Sequence, residues 1–407
     1  MRKDLDRLMK ERGIAGMAVF ANDCYSTAMH YVTGQKIHVG LYVRAADGRA
    51  HLVHDPMERD AAAKAGCEHS GYPQHGLNAM LEQEGHPARA YGHLMADLFA
   101  TMQIEGPVAL YGDVPVGFAH LLTKRLLELN PKLSVDASHP DLLSLARVTK
   151  EPDEAEAIRR AARGTVAAMT KLRDFLRSLS RDGEHFRDSG GAPVKLGDLR
   201  NLLLGEFLAR GLAEDGQSIV SQGRDAGVPH NIGNDDEPLT ASRPVIVDIF
   251  PGEAGGGYHS DMTRTFCMGK APEPVRKAYA DVKAVFDAAT KALRPGDSCR
   301  SYQQLANEIF ESRGHVTRLT NEATQIGYCH NLGHGVGLSV HETPLLGGTP
   351  SNVITLEPGM VVTIEPGLYY PDQGMGMRIE DLLYVRPDGS IENLTPFPYD
   401  LEIEPRG

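Results

Sequence analysis

Four carboxylates in this 407-residue chain stand where carboxylates are costly. The run PVIVDIF sets Asp248 in an apolar, β-branched stretch, and Asp261 follows between GGGYHS and MTRTF. Glu365 ends MVVTIE and Glu380 ends GMRIE. In an antiparallel hairpin, facing residues keep a constant sum of indices. Pairing Asp248 with Asp261 centres a turn between Ala254 and Gly255, in a glycine-rich stretch suited to turning. Pairing Glu365 with Glu380 centres a second turn between Asp372 and Gln373, inside PDQG. Each hairpin is thus expected to set two carboxylates across from each other on one face. Like charges so placed destabilise a sheet, and buried carboxylates are expensive unless compensated. Cations remove both penalties. Four carboxylates with an imidazole form a hard, oxygen-rich set suited to two divalent ions such as Mn²⁺, Co²⁺, Fe²⁺ or Zn²⁺. Strand-edge acids meeting solvent or Lys/Arg would explain one such pair more readily than two.

The imidazole comes from Gly333-His334-Gly335-Val336-Gly337-Leu338-Ser339-Val340-His341-Glu342. Residues seven apart in a regular strand face opposite sides, so His334 and His341 share a site only if the strand bends. Gly335 and Gly337 permit that bend. Glycines crowded around His334 favour it as the ligand, whereas His341 alone reads as an ordinary strand histidine. His230 lies in a loop, Pro229-His230-Asn231. His51, His54, His69, His75, His86 and His93 show no ligand spacing and read as surface residues.

The elements that must hold these groups fall into two parts. Up to about residue 140, strand-like runs (GMAVFA, LYVR and HLVH around Ala46-Asp47-Gly48, VALYG, LSVDA) alternate with helix-like ones (PMERDAAAKAG, YGHLMADLFATM, FAHLLTKRLLEL). That is the pattern of a small α/β domain. Leu5, Leu8 and Met9 at helical spacing make the N-terminus an amphipathic helix rather than a signal peptide. The character changes near Val148, giving domains of 1–147 and 148–407. Pro152-Asp153-Glu154 opens a long helix, with Pro at its mouth and acids in the first turn. An exposed Gly/Asp-rich loop over 180–198 is expected next. Helices at 196–212, 273–293 and 300–313 then flank the charged strands. The order, helices then strands and again helices then strands, predicts an α+β domain with two pseudo-repeated halves.

Composition narrows the class. Hydrophobic residues at 41% and charged residues at 24% suit a globular protein with a real core. A net charge of −12 argues against nucleic acid or an anionic membrane as partner. Five scattered cysteines, Cys24, Cys67, Cys267, Cys299 and Cys329, form no C-x-x-C pair and fit a reduced, cytoplasmic setting. No stretch is long and apolar enough to span a membrane.

Taken together, VDIF…GYHSDMTRTF, GHGVGLSVHETP, IEPGLYY and MRIED, with GVPHNIG upstream, resemble the pita-bread metallopeptidases of the M24 type. These include Xaa-Pro dipeptidases (prolidases), aminopeptidase P and, more distantly, methionine aminopeptidases. The resemblance covers 148–407; residues 1–147 loosely resemble the accessory domain of prolidase, aminopeptidase P and creatinase. It implies an α/β N-terminal domain, a pita-bread catalytic domain and a homodimer. It also implies a dinuclear site, manganese first with cobalt, zinc or iron as alternatives, that cleaves small peptides after the residue preceding proline by attack of a metal-bridged hydroxide. By position, Asp248, Asp261, His334, Glu365 and Glu380 match the metal ligands. Glu365 also matches the proton acceptor, His341 and His230 match histidines at the substrate, and Tyr369 and Arg378 match residues that hold the carboxylates. The chain departs from the usual Asp-x-Gly after the first aspartate, reading Asp248-Ile249-Phe250-Pro251, and its hairpin is two residues longer. Two other functions fit the same fold: hydrolysis of a non-peptide C–N bond, as in creatinase, and non-catalytic binding as an interaction module. Members of both kinds usually lose ligands that this chain keeps.

Overall fold

In the computed structural model, which describes residues 3–214, 218–349 and 352–406, the chain divides into two units, Met1–Arg147 and Val148–Gly407. The first holds a six-stranded sheet in the order Glu68–Gly71, Ala50–His54, Val39–Ala45, Gly16–Asn22, Gly106–Gly112, Leu133–Val135. Helices Pro87–Thr101 and Val116–Leu129 cover one face, burying Leu94, Phe99, Leu122 and Leu126 against Phe20, Val43 and Val108. The first helix, Lys3–Arg12, buries Leu5, Leu8 and Met9 as its spacing predicts. PMERDAAAKAG is not one helix. It breaks into a 3-10 turn, Pro56–Glu58, and a short helix, Arg59–Ala62, because Ala62 is the only buried residue in that helix and gives it little to pack with. The edge strand Glu68–Gly71 has no apolar alternation that would mark it, since none of its residues is buried.

The second unit runs helices then strands, twice. Helices Pro152–Ser178 and Leu196–Leu208 precede a four-stranded sheet of Ile219–Gln222, Pro244–Ile249, Met262–Met268 and Glu402–Ile403. Helices Glu273–Ala292 and Cys299–Ser312 precede a five-stranded sheet ordered Glu342–Leu346, Gly333–Gly335, Val361–Ile364, Asp381–Val385, Ile391–Asn393. Each half has its own apolar core. Met169, Leu172, Phe207 and Phe266 pack in the first, and Val282, Phe286, Phe310 and Ile364 in the second. Burying each such side chain contributes about 1.5–3 kcal/mol. The sheets meet where Thr263 and Glu380 exchange backbone hydrogen bonds of 3.4 and 3.1 Å.

The long helix starts as its sequence requires. Pro152 occupies the first turn, and the Glu154 carboxylate accepts the Glu151 N–H at 2.9 Å. The 180–198 segment is not simply an exposed loop. Ser180–Asp182 pairs with His185–Arg187, and Phe186 and Val194 are buried in the first core, anchoring the hairpin there. Among the described residues no helix is long and apolar enough to cross a membrane.

Candidate metal centre

The two carboxylate hairpins fold differently. In the first, Asp248 pairs with Thr263 and Ile249 with Met262, so Asp248 does not face Asp261. The turn is centred between Gly255 and Gly256, one residue beyond the expected place, with Glu253 N–H bonded to Tyr258 O at 3.1 Å. The loop over 254–257 is closed by the Gly256 N–H bonded to Glu253 O at 3.0 Å, and Gly255, Gly256 and Gly257 run at φ 76°, 89° and 146°, left-handed backbone that glycine adopts without strain. The resulting offset is two residues, which preserves the face of the sheet and makes Asp261 a diagonal neighbour of Asp248. In the second hairpin Ile364 pairs with Asp381 and Gly367 with Arg378, so Glu365 and Glu380 do sit opposite each other. The turn Pro371–Gln373 closes it where expected.

Asp261, His334 and Glu380 each offer a ligand atom within 4.8 Å of the other two, and all three are buried. His334 Nε2 lies 3.6 Å from Asp261 Oδ2 and 3.5 Å from Glu365 Oε1. Its Nδ1 lies 3.1 Å from Gly335 O, which fixes the proton on Nδ1 and turns the Nε2 lone pair to the carboxylates. Asp248 is held from the side: Arg378 Nη2 donates to its Oδ2 at 2.6 Å, while its buried Oδ1 has no hydrogen-bond partner.

Burial and mutual repulsion dominate the electrostatics. Burial first, then the charges of Asp248 and Glu365, push the Asp261 carboxyl well above its usual range. Glu380 is raised by burial and by Asp261, Glu365 and Asp248. Glu365 is pushed up to about 8, chiefly by burial. Burial, then His341, pushes His334 down to about 3, so it is a neutral donor. Asp261, Glu365 and Glu380 thus resist ionising beside one another, a penalty that divalent cations would remove. Asp248 Oδ1, without a hydrogen-bond partner, and His334 Nε2, turned to the carboxylates, belong to a hard oxygen set with one nitrogen whose chemistry suits such ions.

A network stands behind the carboxylates. Arg378 Nη1 donates to the Tyr369 hydroxyl at 2.7 Å and its Nε to Thr263 Oγ1 at 3.3 Å; Thr263 Oγ1 in turn donates to Glu380 Oε2 at 2.7 Å. The Tyr369 hydroxyl lies 2.9 Å from His330 Nε2, and His330 Nδ1 lies 2.7 Å from Asn331 O. Burial, then Arg378, pushes His330 down to about 3, leaving it neutral to accept from Tyr369.

The remaining histidines form an exposed rim. The ladder shifts register between His334 and Gly335, the bend that the glycines permit. The His341 ring thereby comes to 4.4 Å from that of His334, edge to face. Gly335 is required at this bend because a Cβ would strike the Thr343 carbonyl. Burial lowers the His341 pKa, and the nearby His230 lowers it further. The His230 loop is tied down one residue earlier, where Pro229 O accepts from Arg378 Nη1 at 3.4 Å.

Sequence reasoning missed His330 and Thr263. His330 lies four residues before His334 but outside the strand Gly333–Gly335, so strand alternation gives no signal for it. Thr263 is an unremarked threonine inside MTRTF, with nothing local to mark it. In the first unit, His54 is buried rather than superficial, 3.2 Å from His69, and Ser70 Oγ links His51 and His75 at 2.6 and 2.7 Å.

Residues 156–387 match metallopeptidase family M24. The probable dipeptidase PepE of Mycobacterium tuberculosis is 30% identical over 301 residues, 73% of this chain and 72% of that protein. An Xaa-Pro dipeptidase of Pyrococcus furiosus is 33% identical over 173 residues, 42% of this chain and 45% of the other. The solved Xaa-Pro dipeptidase from Bacillus anthracis superposes with a TM-score of 0.77 at 21% identity, covering 99% of this chain and 98% of that one. That last likeness establishes the fold, with its pita-bread second unit.

Proposed function

This chain belongs to metallopeptidase family M24 and is a peptidase, and from that premise we propose that it hydrolyses the bond between an N-terminal residue and proline. Relatives of both kinds named above carry Xaa-Pro dipeptidase in their names, and proline's tertiary amide, with no N–H, suits a dedicated pocket. In this reading residues 148–407 are the catalytic domain and 1–147 an accessory domain. Asp248, Asp261, His334, Glu365 and Glu380 would hold two divalent cations, manganese first, with cobalt, zinc and iron compatible with the same donors. The single observation that carries the reading is the buried meeting of Asp261, His334 and Glu380, flanked by Glu365 and by the unpartnered Asp248 Oδ1.

The cations, when bound, supply Lewis acidity toward water and the scissile carbonyl. Glu365 takes the proton of the attacking water and returns it to the leaving nitrogen. His341, on the exposed rim and in contact with His334, donates a hydrogen bond to the carbonyl oxygen as charge builds there, and His230 assists from the facing loop. Arg378 and Tyr369 keep Asp248 and the hairpin in register. Five free cysteines fit the reducing cytoplasm, and a homodimer completes the proposal.

The test is release of the N-terminal residue from Xaa-Pro dipeptides and Xaa-Pro-Yaa tripeptides after chelation and return of Mn²⁺, Co²⁺ or Zn²⁺. Restored cleavage of dipeptides alone makes it a prolidase, and cleavage of tripeptides makes it an aminopeptidase P. Metal uptake with no cleavage of either overturns the substrate assignment and points to another small amide. Failure to bind metal overturns the centre itself.

A further inference from the structure

The segment after His334 leaves its sheet and rejoins it at Glu342, which pairs with Gly335 across the bulge. The residues between form an arch, with His341 at its returning foot. Glu342 fastens that arch from inside. Its Oε1 accepts the Ser339 N–H at 3.0 Å, and Gly337 N–H bonds Ser339 O at 3.0 Å. Gly337 lies so near the Glu342 carboxylate that a Cβ there would collide with it. From the first hairpin, the His259 N–H bonds Gly337 O at 2.8 Å and braces the crown.

The second Glu342 oxygen, Oε2, meets Lys150 Nζ at 3.0 Å, with side chains 5% and 1% exposed. Lys150 is itself fixed by sheet-like backbone pairing. Its N–H bonds Gly359 O at 2.8 Å, and Thr149 bridges to Met360. A buried ion pair adds little stability over apolar side chains of the same volume, so stability alone does not account for it. What it does provide is a fixed, directional anchor for the residue immediately before Glu342. We propose that Lys150 and Glu342 are a positioning pair that sets His341 at the reacting carbonyl. The proposal rests on the peptidase reading, in which His341 is the group that meets the developing charge.

The test uses the full chain loaded with Mn²⁺ and an Xaa-Pro dipeptide. Glu342→Gln keeps the shape and the Ser339 bond but cuts the ionic tie. Lys150→Met/Glu342→Gln together leaves no unpaired buried charge, which keeps the question answerable if the single variant fails to fold. The expected result is a fall in kcat of about 10²-fold, the scale of a misplaced catalytic group, with KM and bound metal unchanged. In a His341→Ala background the same substitutions should cost nothing further, because the residue they position is gone. Losses that add to those of His341→Ala, a lowered metal content, or an unchanged kcat would each overturn the pair. A wild-type protein that binds Mn²⁺ but cleaves no Xaa-Pro peptide overturns the peptidase reading and this inference with it.

Discussion

Two buried arginine–aspartate pairs flank Glu380, and they are finished to different degrees. In Arg264–Asp381 every group is used. Arg264 Nη2 donates to Asp381 Oδ1 at 2.7 Å and to Phe397 O at 3.0 Å, while Nη1 reaches the carbonyls of Thr263 and Glu380 and Nε that of Pro398. Asp381 Oδ2 accepts from Asn393 at 2.5 Å and from Tyr399 at 2.6 Å. The guanidinium also lies 4.6 Å from the centre of the Tyr399 ring. In Arg378–Asp248 the ion pair is just as short, 2.6 Å, yet Asp248 Oδ1 is left without a partner. Native interiors satisfy nearly all buried polar atoms. A saturated pair is scaffold, therefore, and an unsaturated one beside three more carboxylates is a site with valence to spare.

Substitutions should separate the two kinds of position. The largest effect belongs to the unsaturated side. Glu365→Ala or His334→Ala is expected to lower kcat by about 10⁴-fold or to abolish turnover, while circular dichroism and the melting transition stay those of a folded protein. A fully active double variant would remove both residues from the centre. Asp381→Ala should do the reverse, costing about 3–5 kcal/mol of stability by stranding the buried Arg264. Denaturant titration reads that loss, and the folded fraction should still take up metal.

Metal should matter most where carboxylates repel. At a free concentration 100 times Kd, a cation bound only by the folded state adds about 2.7 kcal/mol of stability. The sign of the pH dependence follows from the raised carboxyls. Glu365 titrates near the ordinary 4.5 when unfolded but near about 8 in the metal-free fold, and Asp261 and Glu380 shift in the same direction. The metal-free fold thus holds protons that the unfolded chain releases, and this contribution to its stability declines as pH rises from about 4.5 toward 8. Bound cations require ionised carboxylates, so affinity runs the other way. The gap between metal-loaded and metal-free melting temperatures should widen from about pH 5 to about pH 8. A gap that narrows over that range would mean that these carboxylates are not the ligands.

How much of this was legible in the sequence depended on whether a constraint was local. The second hairpin could be placed because PDQG offers one turn and fixes Glu365 opposite Glu380. The first was placed one residue off because GEAGGGY offers several turns. The choice among them depends on which residues can take left-handed backbone, and the run Gly255-Gly256-Gly257 takes it. The convergence of His334 and His341 required a bend that two glycines signalled. Arg264 and Asp381 each carried an ordinary strand pattern, and their pairing across 117 residues is a tertiary fact with no local trace. The edge strand Glu68–Gly71 was invisible for a related reason, since its pairing with Ala50–His54 and not its own apolar pattern makes it a strand.

The finest comparison uses one tyrosine from each pair. The Tyr399 hydroxyl donates to Asp381 at 2.6 Å, and the Tyr369 hydroxyl accepts from Arg378 at 2.7 Å while facing His330 at 2.9 Å. Each Tyr→Phe change removes a single hydroxyl and should cost about 1 kcal/mol of stability. Activity should tell them apart. Tyr399→Phe leaves Asp381 still bound by Arg264 and Asn393, so kcat/KM should stay within about twofold of the wild type. Tyr369→Phe leaves Arg378 Nη1 only its 3.4 Å bond to Pro229 O and uncouples His330 from the guanidinium that orients Asp248. An energy of that size, realised at the site, corresponds to about a fivefold to tenfold loss in kcat/KM. Equal activity in the two variants would mean that the network behind the carboxylates is scaffold throughout, and that the unsaturated Asp248 owes its position to the strand alone.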